Sequence, residues 1–119
     1  MNVKECYEAI GGDYESMKRR FLKDDRIQRF ALMFLKDGSM DDLREGMREK
    51  DCDKAFLAAH TLKGVCLNLG LTGLLAPVSE ITEELRAKDH EGASKLMPPV
   101  EQSYAAVCEG LRELERAGK

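Results

Sequence analysis

The sequence lacks Trp altogether, has only three Pro among 119 residues, and holds two His. No apolar run approaches the roughly 18 residues that a bilayer span needs, and nothing has the layout of a secretory leader. A cytoplasmic chain that neither crosses nor rests on a membrane is therefore expected. A formal charge of −3 offers no basic footprint for nucleic acid. Four cysteines occur without a CxxC pair, and the Cys/His spacings match no zinc module. On one helix Cys52 and Cys66 would lie about 21 Å apart, too far to bridge each other. All four cysteines are expected to be small buried hydrophobes in a reducing compartment. There is no Gly-rich nucleotide loop, no internal repeat and no low-complexity stretch. What remains, with 43% hydrophobic residues and few β-branched ones, is a single helical domain with a modest core.

The chain is organised around Asp51–Gly70. Asp51 is a natural N-cap and Gly70 a natural residue for the turn that ends a helix. Between them Cys52, Ala55, Ala59, Leu62, Cys66 and Leu69 recur at steps of three and four, which predicts one buried stripe on a helix over about 52–69. At about 100° per residue, His60 turns well over a quarter-turn from the centre of that stripe and faces outward. Phe56, Leu57, Lys63, Gly64 and Leu67 share or flank its face. Three apolar side chains around an imidazole are out of place on a purely solvated face. Gly64 costs about 1 kcal/mol relative to alanine in a helix interior, so something requires that backbone to stay bare. An open imidazole, a cation one turn away, a missing side chain and an apolar rim suit a place where an anion and a protein surface arrive together.

His60-Thr61-Leu62-Lys63-Gly64, followed by Asn68-Leu69-Gly70, resembles the signature of histidine-containing phosphotransfer (HPt) domains. The resemblance implies that His60 accepts a phosphoryl group from an aspartyl phosphate on a response-regulator receiver domain and passes it to another receiver. It gives Lys63 the role of neutralising phosphate charge and Gly64 that of steric clearance. From the residues themselves, Phe56, Leu57, Leu67 and Asn68 are the expected partner-facing set, with Phe56 packing in part on its own chain and a local helix-end hydrogen bond as the alternative for Asn68. By count along the next helix Thr82, with Ser79 nearby, takes the place where the family often has a glutamine that hydrogen-bonds near the phosphohistidine. No cofactor is expected in this chain, which has no carboxylate beside His60. Mg2+ is expected on the partner receiver domain. Receiver domains, including one in a hybrid histidine kinase, are the implied partners of a monomeric carrier that is not itself an enzyme.

The rest of the pattern predicts an all-α, up-down antiparallel four-helix bundle with additional short N-terminal helices. Residues 1–23 hold two short amphipathic segments, separated by Gly11-Gly12, that are expected to pack over one side, a flexible basic arm being the rival reading. The bundle proper spans 24–117 of a domain that covers 1–119. Asp24 is expected to cap a helix through Asp37, and Ser39–Asp42 to restart one. Pro77 predicts a kink or a late start in the helix after Gly70, and Pro98-Pro99 a bend or split in the last one, which begins near Glu91. His90 is expected to be a surface residue without a role.

Three rival readings differ in class. A non-catalytic helical adaptor would use the Phe56/Leu57/Leu67 face while His60 is incidental. A histidine-kinase dimerisation hairpin favours an acidic residue after the histidine, where this chain has Thr61. A general-base enzyme lacks a partnering Asp, Glu or Ser within helical reach of His60.

Overall fold

Local signals decide where each helix begins and ends. The computed structural model describes residues 1–118, so Lys119, the last residue of the expected domain, lies outside the described residues. The chain forms α1 (Val3–Ile10), α2 (Tyr14–Phe21), α3 (Asp24–Leu32), a 3₁₀ turn (Met33–Lys36), α4 (Ser39–Arg48), α5 (Cys52–Leu69), α6 (Thr72–Arg86) and α7 (His90–Ala117). No strand occurs among the described residues, and the all-α class holds. Asn2 and Glu5 form a capping box on α1, and Asp13 caps α2 through the Ser16 N–H.

Two expected caps are corrected. Asp24 lies inside the first turn of α3, not before it: Lys23 holds the N-cap position, its carbonyl accepting the first helical N–H groups, and the Asp24 carboxylate is taken by the Tyr14 hydroxyl and the Lys18 ammonium. Ser39 does not cap α4; the Asp37 carboxylate reaches forward and accepts the Ser39 N–H at 3.0 Å.

Of the expected proline effects, the late start of α6 and the split of α7 do not occur. α6 starts at Thr72 and continues through Pro77, and α7 continues through Pro98 and Pro99. The carbonyls these prolines leave without a donor belong to Gly73, Ser94 and Lys95, all exposed residues, so water can take the vacant places. The 28 residues of α7 span about 42 Å at helical rise, close to the 41 Å long axis of the molecule.

Helices α4, α5, α6 and α7 pack in sequence as neighbours. The circuit closes through Arg44 of α4, whose guanidinium donates to both Glu101 oxygens of α7 at 2.6 and 2.9 Å and lies over the Tyr104 ring. His90 also ties α7 to α4: its Nε2–H donates to the Met47 carbonyl at 3.0 Å, so it has a structural part that its sequence position did not suggest. Leu62, Leu74, Val78, Ile81, Leu85 and Leu111 fill the centre, all buried. α1 lies on α7, with the Cys6 thiol donating to the Gly110 carbonyl. Gly110 is needed there, since a Cβ would meet Ile10 Cγ2 at 2.3 Å.

Candidate functional site

The helix that carries His60 is fixed at both ends. Asp51 accepts the Lys54 N–H at 3.0 Å, and Gly70 adopts φ 64° so that its N–H returns to the Cys66 carbonyl. The last carbonyls of a helix lack intrahelical donors. Here the N-terminal helices supply them: Arg20 donates to the Asn68 carbonyl, the Tyr7 hydroxyl to Leu69 at 2.6 Å, and the Asp13 N–H to Gly70 at 2.8 Å. Burial pushes the Tyr7 phenol well above its ordinary range, so it stays a donor.

Ala55, Ala59, Leu62 and Cys66 face inward, joined by Ala58. Cys52 and Leu69, at the ends of the expected stripe, are half-buried. His60 faces out and is exposed. Side chains on a helix lean toward its N-terminus, which brings the imidazole back over the residue four positions earlier. That residue is Phe56, and the two rings lie near-parallel, 5.8 Å between centroids and 19° between planes. Lys63 is half-buried one turn on, and no ion pair engages it among the described residues.

Gly64 separates two explanations for a mid-helix glycine. If it served close approach of a neighbouring helix, a Cβ would collide, as at Gly46, where one would lie 2.7 Å from the Ala55 nitrogen. At Gly64 an added Cβ meets nothing within 4 Å. The clearance is toward solvent, and nothing in the described chain uses it.

Leu57 and Leu67 are 64% and 56% exposed, and Asn68, next to Leu67, is exposed as well. Asn68 also borders an open apolar groove of about 600 Å³ between α5 on one side and α2, α3 and the 3₁₀ turn on the other, lined by Phe21, Phe30, Met33 and Val65 among others.

Thr82 is corrected. It is fully buried, and its hydroxyl donates to the Val78 carbonyl at 2.6 Å, one turn back on its own helix. A residue sealed in the core cannot reach a group carried on the exposed His60. Ser79, a turn earlier, is half-buried.

One neighbour of the site escaped the sequence. Arg86, at the end of α6, sets its guanidinium carbon 4.8 Å from the centre of the Phe56 ring. The signal was present in the turn: α5 and α6 are joined by Gly70 and Leu71 alone, so positions equally far from that turn are level, and residue 86 falls beside 55 and 56.

Cys6, Cys66 and Cys108 are buried with free thiols, and Cys52 is half-buried. Burial pushes the Cys6 thiol up to about 11 and the Cys66 thiol to about 12. No helix among the described residues is long and apolar enough to cross a membrane. No group of three or more His, Cys, Asp or Glu among them could hold a metal ion.

No curated protein and no solved structure gives a significant match to this chain. A family model described as "Hpt domain" matches residues 33–117, from the 3₁₀ turn through α7.

Proposed function

The chain belongs to the Hpt domain family, and from that premise we propose that it is a phosphorelay intermediate with His60 as its phosphoacceptor. Hpt domains carry phosphoryl groups on histidine between receiver domains in two-component signalling; they have no kinase core. The observation that carries the assignment to His60 is its open imidazole next to a glycine whose missing side chain clears only solvent.

A ring nitrogen's lone pair attacks phosphorus in line with the bond to the donor aspartate. The P–N bond forms as the P–O bond breaks, the carboxylate leaves with that electron pair, and the imidazole sheds a proton to water. Both the acyl phosphate and the phosphoramidate are energy-rich, so a second receiver aspartate takes the group by the reverse displacement. Phosphoryl transfer depends on alignment and on compensation of charge on the equatorial oxygens. The Lys63 ammonium supplies part of that compensation. Gly64 leaves room for the phosphoryl group and the receiver loops around it. Leu57, Leu67 and Asn68, with the edge of Phe56, form the docking surface. The divalent cation of the reaction, Mg2+, comes with the receiver, and the carrier works as a cytoplasmic monomer.

A two-stage chase tests this. Receiver labelled at its aspartate is mixed with the protein, then removed, and a second receiver is added. The label should pass to the protein as an acid-labile, alkali-stable adduct and then leave to the second receiver. Binding of both receivers without transfer of label would favour the adaptor reading over the relay.

A further inference from the structure

His60 is exposed, and an exposed histidine ordinarily exchanges rotamers within nanoseconds. Three contacts give this one a support. Phe56 lies under the imidazole at near-parallel tilt. The Arg86 guanidinium lies over the same Phe56 ring, and the Arg86 Nε–H donates to Glu83 Oε2 at 3.3 Å. The series Glu83–Arg86–Phe56–His60 thus runs from the end of α6 to the imidazole, although Arg86 and Glu83 are themselves more than half exposed. Neither exposed residue is needed for the core, which closes beneath them through Leu85 and Ala55. A leucine at position 56 would fill the same half-buried space. Only a flat ring can both stack on an imidazole and receive a cation on its face.

We propose that Arg86 is a positioning residue for the phosphorylation of His60: its guanidinium pins the Phe56 ring, and the pinned ring holds the imidazole at one angle for in-line attack. The inference rests on the relay reading above. Arg86 acts through Phe56 and does not touch the phosphoryl group, which separates it from Lys63. In-line displacement is sensitive to the angle of the attacking nitrogen, so loosening the ring lowers the rate of the chemical step without changing how tightly the receiver docks.

The test compares wild type with Arg86→Ala, Arg86→Lys, Phe56→Leu and the Arg86→Ala/Phe56→Leu double variant. Melting curves establish that each is folded. The His60 ring-proton resonances, assigned against His60→Gln, report the stack directly, since the Phe56 ring current displaces them upfield. Rates are then measured with phosphorylated receiver over a range of concentrations and with phosphoramidate as a small donor. Arg86→Ala should move the ring protons toward the positions seen in Phe56→Leu. It should also lower the maximal rate about threefold to tenfold with either donor, leaving the half-saturating receiver concentration unchanged. Arg86→Lys, which keeps a cation for the ring, should recover most of that loss. In the Phe56→Leu background Arg86→Ala should have no further effect. Equal slowing by Arg86→Ala in both backgrounds, or ring protons unmoved by it, overturns the clamp while leaving the relay intact. Failure of wild type to take phosphate from either donor removes the relay reading and this inference together.

Discussion

Gly64→Ala should make the protein more stable and less active. An alanine in a helix interior is favoured over glycine by about 1 kcal/mol. Nothing within 4 Å opposes the added Cβ, so that gain is realised in full. For a domain of this size it corresponds to a rise of about 4 °C in Tm. The same methyl intrudes into the space assigned to the phosphoryl group and the receiver's loops. Forcing one methyl into a close-fitting interface costs about 1–3 kcal/mol, which is about fivefold to 150-fold in transfer rate. Thermal unfolding by circular dichroism reads the first effect and label transfer from a phosphorylated receiver reads the second. Gly46→Ala is the control of opposite sign, because its Cβ would press on the Ala55 backbone at 2.7–2.8 Å and must lower stability. A Gly64→Ala protein that transfers phosphate at the wild-type rate would refute the clearance role. One that melts lower than wild type would refute the description of that face as open.

Further outcomes follow from other parts of the molecule. Lys63→Ala should slow transfer about tenfold while the unfolding free energy changes by no more than about 0.5 kcal/mol, because no ion pair holds it among the described residues; loss of fold without a separable transfer defect would count against its role. Tyr7→Phe should lower stability in urea by about 1–2 kcal/mol, since it leaves the Leu69 carbonyl without its donor; an unchanged midpoint would mean that water replaces the hydroxyl. At pH 8 a thiol-specific disulfide reagent should label Cys52 in the native protein and reach Cys6, Cys66 and Cys108 only on unfolding. Burial both hides those three and raises them, so the thiolate that would react is scarce; labelling of Cys66 as fast as Cys52 would contradict this.

The sequence made α5 legible because its signals are local and agree with one another. Asp51, Gly70 and the three-and-four spacing between them fix the ends and the inward face, and the outward angle of His60 follows from arithmetic. The caps of α3 and α4 were misread because a side chain from elsewhere decided them: Tyr14 and Lys18 captured Asp24, and Asp37 served the Ser39 N–H. The late start of α6 and the split of α7 did not occur because the breaking effect depends on whether the orphaned carbonyl is wet, which no local pattern states. Thr82 was placed by counting along a helix, and counting gives axial level but not the face; packing put it in the core. Arg86 and the N-terminal donors Tyr7 and Arg20 depend on contacts between separate helices, and only the short α5–α6 turn carried a trace of one of them.

Which histidine takes the phosphoryl group decides between relay and adaptor. Phosphorylated receiver is incubated with wild type, His60→Gln and His90→Gln, and the acid-labile label on each is counted after the receiver is removed. Wild type and His90→Gln should carry label to the same extent and His60→Gln none. Label on His60→Gln at the level of wild type would contradict the assignment outright.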